Sequence, residues 1–382
     1  MIIFPAEWNV RKEAVFAALA RADGGGKRLR MVPWSWADYP ETAARVAVCL
    51  ARAKRQPKGV GRWFKALLIR LQYNGARRLF ARQPGAVAVA WNGLGGSRLA
   101  FLLAARDAGC GTLSAELAPF PRRITLDPAG VNAESSVPRD AGFYAGMAAG
   151  EGWRRLGVGL TARASRRGDV GQAAVVPEGR FLFCPLQVPS DSQVTLFAGW
   201  TGGMAGFLSA LAEAVAYLPE GWHVRVKEHP SARESLSDLL GPLLATGRVV
   251  VDNAADSFAQ LAASRGVVTL NSSMGLQGFF HDKPVVVLGE AFFKQAGLVV
   301  RIEDQAGLNA AFAGAAGLSF DPLARARVMN WLDRVYYPRF DGPEGVDLSA
   351  MAEKLVQVGT GGKAGADPFA ARPYALTGRE LR

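Results

Sequence analysis

Histidine and cysteine are scarce in this chain, three of each in 382 residues. Cys49, Cys110 and Cys184 stand far apart, with no CxxC pair and no neighbouring histidine to complete a metal site, so thiol redox chemistry and a zinc framework are both excluded. Unpaired cysteines of this kind point to a reducing compartment. No run of about 18 apolar residues occurs, which excludes a spanning helix. The opening MIIFPAEWNVRKE has no basic segment ahead of an apolar one and does not read as a signal peptide, so a cytoplasmic location is expected. Acidic residues are missing altogether between Glu41 and Asp107, a stretch that holds thirteen Lys and Arg, and the whole chain carries a formal charge of +12.

Within that basic stretch, GRWFKALLIRLQY places Trp63, Phe64, Leu67, Leu68 and Leu71 on one helical face and Arg62, Lys65 and Arg70 off it. Such a helix near 60–83 suits an anionic membrane surface. The plainer alternative is a surface helix whose apolar face packs on the core. Nucleic acid is not indicated, because no binding motif accompanies the charge.

Length argues for two hydrophobic cores rather than one. In the first half, Ile2 to Phe4 and Arg28 to Val32 read as strands around a helix from Val10 to Ala20. GAVAVAW is a buried strand ending at Trp91, followed by a glycine-rich turn and the helix RLAFLLAARDAG, and GTLSAEL is a further strand. One or two helices are expected between Arg139 and Leu156. The polar segment TARASRRGDVGQAAVVPEG reads as a linker, giving an N-terminal lobe of 1–165 and a C-terminal lobe of 175–320, with a closing helix in 321–357 and a loosely ordered tail from 358 to 382. The second half alternates more regularly. Strands at 181–186, 223–227, 248–251, 266–270 and 284–288 are separated by helices at 204–217, 235–244, 257–263 and 275–280, the pattern of a doubly wound α/β domain whose ligands bind at the carboxyl ends of the strands.

Three polar clusters fall at those ends: Gln187 and Asp191 in QVPSDSQ; Lys227, Glu228, His229 and Pro230 in KEHP; and Asn271, Ser272 and Ser273 in NSSMGLQGFF. Ser272 or Ser273 caps a helix whose N–H groups and dipole suit a phosphate. His229 is fixed on a turn by the proline after it and is suited to hydrogen-bond a phosphate or protonate a leaving group. Asp191 lies among turn-forming residues, so catalysis and turn formation are both open readings. His223 and His281 read as a strand and a turn residue.

In this order and spacing, QVPSDSQ, KEHP and NSSMGLQGFFHDKPVVVLG, with WNG at Trp91 to Gly93 and ELAPFPRRITLDPAGVN from Glu116 to Asn132, resemble the bacterial capsular polysaccharide biosynthesis and export family, which includes β-Kdo transferases. The resemblance implies an α/β fold of the GT-B type, two Rossmann-like lobes with a cleft between them, CMP-Kdo in the C-terminal lobe and the acceptor in the N-terminal lobe. It implies a retaining transfer of β-Kdo to a lipid or Kdo-primed lipid acceptor, with the QxxxD aspartate, here Asp191, as nucleophile. His229 and Asn271 to Ser273 would hold the CMP phosphate together with Gln187, Lys227, Glu228 and Pro230. Glu116 is the candidate base for the acceptor, with a structural turn carboxylate as its alternative; Trp91, Asn92, Arg122 and Arg123 are candidate acceptor contacts, and Asp127 and Asn132 shape their loop. A donor with one phosphate and a chain without a DxD motif imply no metal and no cofactor. Capsule assembly and export proteins are the expected partners, and the inner membrane face the expected place of work. Two rival readings are a transferase for another CMP-nonulosonate, such as a sialic acid, and a non-catalytic export or scaffold component.

Overall fold

A computed structural model describes residues 1–162, 164–174, 177–343 and 345–360. The tail expected from 358 onward falls outside the described residues after Thr360. Contacts divide the chain into two compact units, the first made of Met1–Glu116, Thr125–Val131 and the residues from Arg339 on, the second of Leu117–Ile124 and Asn132–Pro338.

The first unit runs β1 (Ile2–Pro5), α1 (Val10–Ala22), β2 (Gly26–Leu29), α2 (Thr42–Ala51), α3 (Gly59–Ala81), β3 (Val87–Trp91), α4 (Gly96–Asp107), β4 (Gly111–Leu117) and β5 (Ile124–Asp127). Its sheet has the order β2-β1-β3-β4-β5, with β1 parallel to β2 and β3, and β3 parallel to β4. Every residue of β3 is buried, as a strand covered on both faces requires. Asn9 starts α1 by accepting the Lys12 N–H at 3.2 Å, with Glu13 favourably placed in the first turn. The sequence reading passed over α2, because RVAVCL has the β-branched look of a strand and Glu41 makes no side-chain cap.

The second unit runs β6 (Arg180–Pro185), α5 (Ser192–Phe197), α6 (Met204–Ala214), β7 (Trp222–Lys227), α7 (Ser237–Leu244), β8 (Val249–Val251), α8 (Ser257–Ala263), β9 (Gly266–Thr269), α9 (Ser273–Phe280), β10 (Val285–Val287), β11 (Val300–Arg301), α10 (Gln305–Ala313) and α11 (Pro322–Trp331). Its six strands are all parallel in the order β11-β10-β9-β6-β7-β8. Alternate residues of β6 enter different cores: Leu182 and Cys184 pack with Val224, Leu208 and Leu240, whereas Phe181 and Phe183 pack with Leu261, Leu276 and Phe279. Each fully buried phenylalanine contributes about 2 kcal/mol of transfer free energy, so β6 is anchored from both sides. Cys184 is a filler of this core, and burial pushes its thiol up out of reactive range.

Three boundary expectations change. Residues 132–160 pack with the second unit rather than the first, because Tyr144, Trp153 and Leu156 are buried in its aromatic core beside Phe280 and Trp331. Helices expected there are short 3₁₀ turns at Ala141–Tyr144 and Glu151–Gly157. The segment read as a linker is strapped to the sheet edge: Gly171 N–H donates to the Asn253 carbonyl at 2.8 Å, and Ala173 N–H to that of Ala254 at 2.9 Å. The expected closing helix divides as well. After α11 and a π turn at Leu332–Tyr336 the chain returns to the first unit, where α12 (Leu348–Thr360) lies against α1 through the buried Met351 and Leu355.

Candidate functional site

Strands β6, β7 and β8 run outward on one side of the second sheet and β9, β10 and β11 on the other, so the strand order reverses between β6 and β9. Loops leaving the carboxyl ends of two such strands separate and leave a crevice. A cavity lies there, lined by Pro185 and Leu186 at the end of β6, by Lys227, Glu228, His229 and Pro230 at the end of β7, and by Ser272, Ser273, Met274 and Gln277 at the start of α9. Thr161, Ala162, Ser257 and Phe258 complete its wall.

Two of the sequence motifs supply groups aimed at chemistry. His229 sits in a tight turn, closed by the Ala232 N–H on its carbonyl at 2.8 Å. Its Nδ1 accepts the Ser231 N–H at 3.0 Å, which places the proton of the neutral ring on Nε2 and makes that edge a donor. Ser272 is the N-cap of α9 and accepts the Met274 N–H at 3.2 Å, and Ser273 opens the first turn. The positive end of the α9 dipole therefore faces the same cavity as His229.

Other members of those motifs are occupied in building the site. Lys227 was expected to bind donor, but its ammonium donates to the carbonyls of Gly171, Asn253 and Ala255 at 2.9, 2.8 and 2.6 Å, which uses all three of its protons. Burial lowers its pKa below the ordinary value. Glu228 accepts from Arg167, from the Leu236 N–H, from Asn253 and from Ser235, and so is a bracket rather than a ligand. Burial alone would raise its carboxyl; the Arg167 guanidinium and the Leu236 amide outweigh that and hold it below the usual carboxylate value. Gln187 donates to Asn271 Oδ1 at 2.9 Å, and Asn271 in turn donates to the carbonyls of Gln193 and Phe197, each at 2.9 Å. Those two amides tie the loop after β6 to the loop after β9 instead of pointing at a ligand. Pro230 lines the cavity and accepts the Arg166 N–H at 2.8 Å.

Asp191 is the N-cap of α5 and accepts the Gln193 N–H at 2.9 Å. It stands on the same sheet edge, two residues from the Gln193 carbonyl that Asn271 holds, but it is not part of the cavity lining. His223 stacks on Phe181 and His281 ends α9, as their sequence positions suggest.

In the first unit, strand order reverses between β1 and β3. Asn92, held at φ +65°, donates to Glu116 Oε2 at 2.6 Å, so these two candidates do meet, at the carboxyl ends of β3 and β4. Trp91 is a correction: its ring is buried against Phe16 and under the Lys12 ammonium, so it is a core residue rather than an acceptor contact. Arg123 is another, since it belongs to the second unit and pairs there with the buried Asp333 at 2.5 Å. Arg122 is exposed in that same segment, at φ +55°. Asp127 accepts the Ala129 and Gly130 amides and shapes its loop as expected.

Sequence reasoning missed Arg167, which fastens Glu228, and the apolar wall of Phe258 and Met274. Nothing in RASRRGD marks which arginine pairs with a residue 61 positions further along the chain.

Residues 150–313, which contain the whole cavity, match the family model described as capsule polysaccharide biosynthesis protein. The resemblance to that family stands. Protein FixF of Sinorhizobium fredii is 36% identical over 207 residues, 54% of this chain and 49% of that protein. Capsule polysaccharide modification protein LipB of Neisseria meningitidis serogroup A is 31% identical over 128 residues, 31% of this chain and 30% of that one. The chain thus spans about half the length of the first relative and less of the second. Among solved structures, the Thermosulfurimonas dismutans KpsC β-Kdo 2,7 transferase superposes with a TM-score of 0.51 at 13% identity, over 94% of this chain and 99% of that one. The fold is that of a GT-B glycosyltransferase, α/β with two Rossmann-like lobes. No helix among the described residues is long and apolar enough to cross a membrane.

Proposed function

We propose that the chain is a glycosyltransferase of capsule polysaccharide assembly that moves β-Kdo from CMP-Kdo to a lipid or Kdo-primed lipid acceptor, working at an anionic inner-membrane surface beside other capsule assembly and export proteins. One observation carries the reading: His229, Ser272 and Ser273 meet around a single cavity at the strand-order reversal of the second unit, inside the segment that matches the capsule family. The sugar is that of the similar Thermosulfurimonas dismutans KpsC β-Kdo 2,7 transferase, and the pathway that of the capsule polysaccharide biosynthesis family.

In this reading the CMP phosphate lies at the N-terminus of α9, and the Nε2–H of His229 donates to it as the bond to the sugar breaks. The Asp191 carboxylate attacks the anomeric carbon, CMP departs with the bonding electron pair, and a glycosyl-enzyme ester forms. Glu116 then takes the proton of the acceptor hydroxyl, whose oxygen displaces Asp191 and restores the starting configuration. A single donor phosphate with a helix dipole and His229 beside it needs no divalent metal, so the reaction proceeds unchanged in a chelator.

The purified chain is incubated with CMP-Kdo and either a phosphatidylglycerol-type lipid or a Kdo-primed lipid. CMP release with a glycosylated lipid is expected; neither product nor donor hydrolysis with either acceptor overturns the proposal. Asp191→Asn keeps a competent N-cap and removes the nucleophile, so turnover is lost while the melting temperature holds. Normal turnover by that variant removes Asp191 from the role. Tighter competition by CMP-sialic acid than by CMP-Kdo moves the donor to another nonulosonate, and absence of CMP binding by calorimetry leaves a non-catalytic component.

A further inference from the structure

Helix α3 leaves half of an apolar stripe bare. At 3.6 residues per turn, Val60, Phe64, Leu68, Leu71 and Gly75 all fall within roughly 40° of one line along the helix. The later part of that line is covered by the segment from Pro33 to Asp38. Ser35 N–H donates to the Leu71 carbonyl at 3.1 Å, and the missing side chain of Gly75 admits the Pro33 carbonyl, which would stand 1.9 Å from any Cβ there. Asp38 fastens the segment by pairing with Arg70 and accepting from Asn74 at 2.7 Å.

The earlier part has no cover. Trp63 and Phe64 are each 60% exposed, in an edge-to-face pair with centroids 5.0 Å apart, and Val60 and Leu68 are exposed beside them. The strapping segment adds Trp36, 73% exposed, and Trp34. The plainer reading of this helix, an apolar face packed on the core, therefore holds only from Ile69 onward.

The charge around the bare part is of one sign. Lys54, Arg55, Lys58 and Arg62 are exposed at the start of α3, and Lys65 donates to the Arg55 carbonyl, which pins that approach to the helix. The only acid brought to this stretch by the Pro33–Asp38 strap is Asp38, and Arg70 neutralises it.

We infer that this face docks on an anionic lipid bilayer, with Trp63, Phe64 and Leu68 entering the headgroup boundary and the flanking cations meeting lipid phosphates. Tryptophan suits that boundary because its ring is apolar and its N–H finds water or headgroup oxygen. A second copy is a poor occupant, since a symmetric contact would set the same cations against each other. The inference deepens the membrane part of the reading above, and it is tested without sugar nucleotide so that the two fail separately.

The full chain is sedimented with phosphatidylcholine vesicles that contain or lack phosphatidylglycerol. Binding is expected only with the anionic lipid, weakening as salt rises. Trp63→Ser combined with Phe64→Ser lowers partitioning by roughly tenfold or more, and Arg55→Gln with Arg62→Gln lowers it and flattens the salt dependence. All four side chains are exposed, so thermal melts followed by circular dichroism remain at the wild-type temperature and separate lost docking from lost folding. Equal binding to neutral and anionic vesicles, no binding to either, or undiminished binding by the Trp63/Phe64 variant overturns the inference. Loss of self-association in that variant, read by sedimentation velocity without any change in vesicle binding, assigns the face to a second copy instead.

Discussion

Lys227 and His229 are two residues apart at the end of β7 and both line the cavity, but the three protons of Lys227 are already held by backbone carbonyls. The sequence grouped them because KEHP is a compact run of polar side chains at a strand end, which is the property a one-dimensional reading can see. The Lys227 ammonium is taken up by three carbonyls of the loop framework, while the turn at Pro230 leaves the His229 ring at the cavity. Lys227→Met leaves those carbonyls without their donor and costs about 1–3 kcal/mol, visible in urea denaturation. His229→Ala removes the acceptor of the Ser231 N–H, costs about 1 kcal/mol of stability, and lowers kcat/KM by roughly 10²–10⁴. The Arg167–Glu228 pair carries a pH signature. Because the folded-state carboxyl lies below its ordinary 4.5, its stabilisation is complete above that pH and disappears as pH falls through the folded value. Arg167 also pairs with Asp169, so Arg167→Met lowers the melting temperature at pH 7 and the gap to wild type narrows as pH falls below 4.5; a gap that stays constant shows that the two ion pairs contribute nothing.

Helix α9 shows how a cap and a binding site are combined in one element. Ser272 is buried, satisfies the Met274 amide and lines the cavity, whereas Ser273 lines the cavity without serving as the cap. Ser272→Ala is expected to cost about 1 kcal/mol of stability and also to weaken CMP binding. Ser273→Ala weakens CMP binding alone, and calorimetry beside a thermal melt separates the two. The doubled serine was legible as a helix start because NSS follows a β-branched strand and precedes an apolar run. Elements of the second unit were legible within a residue or two for the same reason: strands buried on both faces are continuous apolar runs, and turn residues bound them. α5, β11 and α10 were not, since SQVTLF is a single short turn after a cap, Val300–Arg301 is only two residues long, and QAGLNAAFA has glycine and alanine where a periodic apolar face would show. The same limit governs α3. Periodicity identified its apolar face correctly, but whether that face is covered depends on Pro33–Asp38, a segment with no periodic signal of its own.

At the scale of the whole molecule, two α/β lobes could be read from composition and alternation, but their borders could not. The chain passes between units after Glu116, Ile124, Val131 and Pro338, and each passage is set by long-range packing. Phe120 belongs to the second unit because its ring meets Phe280 and Tyr337, and Arg123 because Asp333 holds it. Polarity made 161–179 look like a linker, although backbone hydrogen bonds bind its described part to the edge beside Asn253 and Ala254. These two divisions make different fragments foldable. A fragment of 117–338 retains the six-stranded sheet, both of its cores, and the ring cluster of Phe120, Tyr144, Trp153, Trp331 and Tyr336, and it is expected to melt cooperatively and bind CMP. A fragment of 175–320 keeps every strand but loses that cluster, which exposes Phe279, Phe293 and Leu276 on one side of the sheet. It should aggregate or melt without a transition. A cooperative melt of the shorter fragment, read by circular dichroism and near-ultraviolet signal together, shows instead that the aromatic layer contributed by residues 132–160 and α11 is dispensable for the donor-side core.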